Sequence, residues 1–323
     1  MTTKETMNGT TLQRSGPAAE PQAAYTHRGR NSSVSRLLGL SASAIFLACS
    51  AALFAQQTRD PLSVPPHQWA VDAANNEIKV IEYGDSYLRY RIHTQDSKGD
   101  QVRDVIESKD GAVARLIYKE NRPLTPEEDS DERSRLQAML DSPANFAKHI
   151  SRDNNGKKTA IDLIRMMPDA MTFTYVPGQP QRQRPHIKPD APLEVVIDFQ
   201  PNPAWKPPTI TSEALTGLKG RLWIDPQTHY MTRMEGSIFQ AVNVGFGLFA
   251  HVYPGGQLTF EQLEVAHERW IFSRFVERLS VRALMLKTFK ENMDIEGSNY
   301  SVVARMSYQD AIHMLMSTPL PAH

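Results

Sequence analysis

Apolar and polar positions along this chain follow two rhythms. Trp69, Val71, Ala74, Ile78 and Ile81 recur at helical spacing, which predicts a helix from about Gln68 to Tyr83 with Gly84 as its stop. Period two then takes over. In 86–94 Leu88, Tyr90 and Ile92 share one face and Arg89 and Arg91 the other, and strands are expected again at 100–108 and 112–119. Asp110-Gly111 between two strand-like runs is a hairpin signal.

The rhythm changes at 125–142. Thr125 can cap, Pro126 suits the first helical position and Glu128 completes a capping box, so a helix starts there. Its acidic residues sit at the positive end of the helix dipole and read as a solvated helix start rather than a metal site. Short helices are expected at 143–151 and 157–167. Strands resume at 170–176 and 193–199, separated by a Pro-rich stretch (177–192) read as an exposed connector. A second Pro-rich stretch, 201–208, leads to the clearest motif, "GRLWIDPQTHYMTRMEG", from Gly220 to Gly236.

In that motif Leu222 and Ile224 share one face, and Arg221, Trp223 and Asp225 the other. Asp225-Pro226 starts a turn, because an Asp side chain bonds back to the backbone and Pro fixes the next dihedral. The return strand places Tyr230, Thr232 and Met234 on one face and His229, Met231, Arg233 and Glu235 on the other. Beyond it, 260–293 has ambiguous periodicity. Arg and Lys spaced among β-branched and aromatic residues favour strands over a helix at 272–289. The chain closes on a short helix (307–317) that Ser307 can cap.

The inventory is eight to eleven antiparallel strands, a leading helix and a helical insertion at 125–168. It is an α+β pattern without βα alternation. The expected fold is a strongly curved antiparallel sheet, an unclosed half barrel, with helices covering the concave face. One domain should span 68–317.

The front end changes the picture of where the domain lives. Residues 1–36 are polar and basic and are expected to be disordered. Segment 37–55 has no charge and follows Arg28, Arg30 and Arg36, the order of an export signal. Cleavage after Ala55 and retention as a membrane anchor both fit, since the apolar run is long enough to span a bilayer. Cys49 within "FLAC" can be read as an acylation site or as a small apolar residue of the segment. Residues 56–67, with Pro61, Pro65 and Pro66, form a linker. The remainder is expected in the periplasm or otherwise outside the cytoplasmic membrane.

Charge and chemistry narrow the function. Net charge is zero, yet five of the 36 basic and two of the 36 acidic residues lie in 1–55, so the rest carries a net −3. That argues against a nucleic-acid partner. The single cysteine excludes an internal disulfide framework and a Cys-based zinc site. No histidine pair has metal-ligand spacing, Glu264, His267 and Glu268 read as part of an exposed strand or loop, and no nucleophile elbow or phosphate loop occurs. No cofactor, metal or catalytic residue is assigned.

The 220–236 motif resembles the strand-turn-strand signature of the outer-membrane lipoprotein-sorting fold, the LolA/LolB-like half barrel. The leading helix, the early strands and the export segment follow in the same order. The resemblance implies an unclosed barrel whose helices form a lid over an apolar cavity. It also implies a cell-envelope protein that binds a lipid, a lipoprotein acyl chain or another apolar ligand. The inward set would be Leu88, Tyr90, Ile92, Phe173, Tyr175, Val195, Ile197, Phe199, Leu222, Ile224, Tyr230 and Met234, which could equally be plain core. Two other readings stay open: a membrane-tethered sensor that docks an envelope protein partner, and a hydrolase with a dispersed site.

Overall fold

The structure, a computed structural model, describes residues 60–82, 84–181, 191–245, 250–283 and 287–321. Segment 37–55, Cys49 and most of the 177–192 connector lie outside the described residues.

After a short 3-10 turn (Pro61–Ser63) comes α1 (Pro66–Glu82), then the meander β1 (Tyr87–Asp96), β2 (Gly99–Ser108), β3 (Gly111–Lys119) and the two-residue β4 (Arg122–Pro123). Helices α2 (Pro126–Asp141) and α3 (Pro143–Ala170) follow. Strands β5 (Met171–Tyr175) and β6 (Val195–Pro201) lead through a 3-10 segment (Thr211–Gly217) to β7 (Leu218–Ile224) and β8 (Met231–Ile238). Two short strands, β9 (Val242–Val244) and β10 (Ala250–Val252), precede the long β11 (Gln257–Ala266), β12 (Arg269–Ala283) and β13 (Lys287–Val303). Helix α4 (Tyr308–Ser317) ends the fold.

All thirteen described strands join one antiparallel sheet in the order β4-β3-β2-β1-β13-β12-β11-β8-β7-β6-β5, with β10 and β9 added beside β12. The first and last strands do not meet, so the sheet is open. The fold class expected from the sequence is what is seen, with more strands than the eight to eleven counted. The extra ones are short: β4, β9 and β10 are too brief to show a period. Of the ambiguous 272–289 stretch, the described residues 272–283 and 287–289 are strand, as the spaced cations indicate.

Helix α1 and the far part of α3 cover the concave side, whereas α2, α4 and the start of α3, where Phe146 stacks on Tyr308, belong to the opposite face. Tyr90 and Val105 pair across β1 and β2 and face inward, toward α1 and α3. Their neighbours Ile106 and Val113 face outward and pack on Leu136 of α2 and Ala311, Ile312 and Leu315 of α4. Arg115, 1% exposed at its side chain, locks this outer layer. It donates to the Leu315 (2.5 Å) and Thr318 (2.7 Å) carbonyls at the end of α4 and to Asp129 of α2 (2.7 Å). A cation at a helix C-terminus meets the negative end of its dipole.

The start of α2 is as written in the sequence. Thr125 Oγ1 accepts from the Glu128 N–H (3.2 Å), and the Glu128 carboxylate accepts from the Thr125 N–H (3.0 Å). The two short helices expected at 143–151 and 157–167 are instead one helix of 28 residues. Asn154-Asn155-Gly156 looks like a break, and a mid-helix glycine costs about 1 kcal/mol. Asp153–Lys157 bridges the weak turn (3.1 Å), and Leu163, Met166 and Met167 anchor the far half on the core. Tertiary burial overrides local propensity here.

The buried face of α1 also differs from the expected one. Trp69, Ala70, Ala73, Asn76 and Glu77 are buried, whereas Val71 and Ile78 are half-buried. The helix presents small and polar side chains to the sheet, which leaves space beneath it.

Candidate functional site

The space beneath α1 and α3 is a cavity of about 760 Å³ on the concave face of the sheet. Its roof sets small residues, Ala70, Ala73 and Ala74 from α1 and Gly156 and Ala160 from α3, among larger ones such as Val80, Ile81, Ile164 and Met167. Tyr90 and Ile92 of β1, Val105 of β2, Leu222 of β7, Met231 and Met234 of β8, Phe260 of β11 and Ile271 and Phe272 of β12 form the floor. Alanines on the helices opposite large residues on the strands leave the room unfilled.

Five of the twelve residues picked from the sequence line this cavity: Tyr90, Ile92, Phe173, Leu222 and Met234. The other seven do not. Val195, Ile197, Phe199 and Ile224 pack under Trp69 and Ala73 as solid core, and Leu88 is buried beside Tyr90, Val105 and Ile271. Tyr175 is taken up by polar work. Its hydroxyl accepts from Trp69 Nε1 (2.9 Å) and donates to the Val64 carbonyl, tying the start of α1 to β5. Tyr230 stacks on Trp270, centroids 4.9 Å apart and rings nearly parallel.

Tyr230 was placed with Met234 by strict alternation, and a bulge breaks that alternation. Trp223 pairs with Arg233 but Ile224 pairs with Met231, so Thr232 is the extra residue. Met231 and Met234 therefore both reach the cavity. Thr232 turns away and donates to Glu194 (2.5 Å).

The hairpin around this bulge is built as its sequence implies. Asp225 accepts from the N–H groups of Gln227 (2.8 Å) and Thr228 (2.9 Å). His229 takes a positive φ of 60° and bonds Asp72 of α1 (2.7 Å), so the turn also clamps the helix. Gly220 and Gly236, which bound the motif, face each other across the hairpin. A Cβ on Gly220 would lie 1.9 Å from the Glu235 carbonyl oxygen and 2.7 Å from the Phe199 ring.

Sequence reasoning missed the charged part of the lining. Arg269 and Glu107 form a buried ion pair (2.8 Å to each carboxylate oxygen), and Glu107 also accepts from the Leu88 N–H. Burial pushes the Glu107 carboxyl up, against the pull of Arg269. Burial likewise pushes the Arg103 guanidinium down, against the Glu132 carboxylate 3.7 Å away. Lys157 is paired with Asp153. Glu77 is buried too, and burial pushes its carboxyl up to about 7, opposed by one hydrogen bond from Gln262 (2.8 Å). A signal for Glu77 existed: it continues the stripe Ala70, Ala73, Ala74 and Ile81 at helical spacing.

Glu264 lies exposed near the end of β11 and His267 and Glu268 in the exposed turn that follows, where the Glu268 N–H bonds Glu264 (2.8 Å). Among the described residues no group of three or more His, Cys, Asp or Glu is placed to hold a metal ion, and no helix is long and apolar enough to cross a membrane. No protein-family model matches the chain, and no curated protein matches it significantly. The resemblance to lipoprotein-sorting half barrels therefore rests on the sequence pattern alone.

Proposed function

We propose that this protein is a cell-envelope binding protein that holds a lipid, a lipoprotein acyl chain or another apolar ligand between α1, α3 and the concave face of its sheet. The observation that carries this reading is the cavity of about 760 Å³ with alanine roof and aromatic, Met and Ile floor. Its volume lies within the roughly 300–1,000 Å³ of small-molecule sites. At about 0.8 kcal/mol per buried CH₂, ten methylenes would gain about 8 kcal/mol before the cost of ordering the chain. The uncharged segment 37–55 behind basic residues supports delivery across, or anchoring to, the cytoplasmic membrane.

The test is titration of the purified full chain with an uncharged fluorescent acyl probe, beside Ala160→Phe, which places a ring in the cavity roof. Saturable binding to the native chain, weakened about tenfold or more in a folded Ala160→Phe variant, is expected. Because both proteins carry segment 37–55, their difference isolates the cavity. Equal binding by both, or none by either, overturns the reading.

A further inference from the structure

The charges lining the cavity are not evenly matched. Arg269 is held by Glu107, Lys157 by Asp153 and Arg103 by Glu132. Glu77 is the one lining carboxyl with no cationic partner among the described residues, and its only hydrogen bond there comes from Gln262 Nε2 (2.8 Å). The second N–H of that amide donates to the Met231 carbonyl, where the β8–β11 ladder stops at Arg233 and Glu261, so none is spare for Glu77. The amide's own oxygen is buried without a partner. The protein has placed one acid in an apolar chamber and given it a single N–H donor.

Resting on the cavity reading, we infer that the ligand is an amphiphile bearing a positively charged amino group, and that Glu77 is the carboxylate that receives it. The groups near Glu77 leave that role open. On α1, Lys79 is exposed and donates to Asn76. Arg269 on β12 is committed to Glu107 and to the Ser86 and Trp270 carbonyls. Tyr230 of the hairpin, Glu264 of β11 and Glu268 of the following turn supply no positive charge. Lys157 of α3 faces Asp153.

Burial has already stripped Glu77 of most of its water, so the fold carries that part of the desolvation penalty before any ligand arrives. An entering ammonium restores a counter-charge, brings N–H donors, and draws the carboxyl back to its ionised form. An alcohol of the same length offers one neutral donor. A fatty acid brings a second negative charge and is disfavoured once Glu77 ionises.

Competition against the uncharged acyl probe decides the matter, with dodecylamine, dodecanol and dodecanoate at pH 8, on the native chain and on Glu77→Gln. The amine is expected to displace the probe at about tenfold lower concentration than the alcohol from the native chain, and at equal concentration from Glu77→Gln. Equal competition by amine and alcohol on the native chain overturns the inference, as does an amine preference that survives in Glu77→Gln. In either case the cavity reading stands, because the probe still binds. Absence of probe binding to both proteins is the separate failure of the cavity reading itself.

Discussion

Glu77 makes the stability of the protein depend on pH in a direction opposite to that of most carboxylates. Its folded pKa, about 7, lies above the ordinary value of 4.5 because burial disfavours the anion. The folded state thus holds a proton that the unfolded state has released between those values, and stability falls as pH rises through that window. A shift of this size corresponds to about 3 kcal/mol. Chemical denaturation of the native chain should show a midpoint that drops from pH 4.5 to pH 7.5, and Glu77→Gln should remove most of that slope. An unchanged slope in the variant would mean that Glu77 is solvated. The neighbouring Arg269–Glu107 pair carries a different expectation. Arg269→Met leaves a buried carboxylate unpaired and should cost about 3–5 kcal/mol, whereas replacing both partners by apolar residues should recover much of it. A double-mutant cycle on urea midpoints measures the difference.

Elements were legible where the local code is complete. The Thr125–Glu128 box states the start of α2 outright, and Thr125→Ala should destabilise by about 1 kcal/mol in the same measurement. Asp225-Pro226 states the β7–β8 turn. The code fails where a distant contact outvotes it. Asn154-Asn155-Gly156 reads as a stop, yet α3 runs through it because its far half is buried against α1 and the 3-10 segment ahead of β7. The bulge at Thr232 is equally silent, since one added residue leaves composition and turn chemistry unchanged while it moves Met231 to the inner face. The glycines bounding the hairpin show how a motif without catalytic chemistry still matters. Gly220 lets Phe199 lie flat on the strand, and Gly220→Ala should cost about 2 kcal/mol or more through overpacking, read as a lowered thermal midpoint. A neutral result would show that both the Glu235 carbonyl of β8 and the Phe199 ring of β6 can give way.

At the scale of the whole molecule, period two was enough to give an open, curved antiparallel sheet, because each inward face needs a cover and the sequence supplies few helices. It was not enough to separate a lined cavity from a filled one. Val195 and Ile92 look alike in sequence. The first lies under Trp69 and the second under alanines and a glycine. The same uneven cover predicts uneven local stability. Strands β6 and β7 are paired on both sides and carry Val195, Ile197 and Ile224, all fully buried. The ladder between β1 and β13 ends at Gln95 and Asp294, so 287–293 of β13 is paired only with β12 among the described residues, with Phe289 exposed. Amides that open by local fluctuation exchange with low free energies, whereas those in the buried strands require global unfolding. Deuterium exchange should therefore be slowest at 195–197 and 222–224 and faster by orders of magnitude at 288–293. Adding a cavity-bound amphiphile should slow α1 and the first residues of β12, which line the cavity, and leave the distal ribbon unchanged. Strong protection of 288–293 in the free protein would mean that this edge is covered in solution, and attention would then shift from the cavity to the surface that covers it.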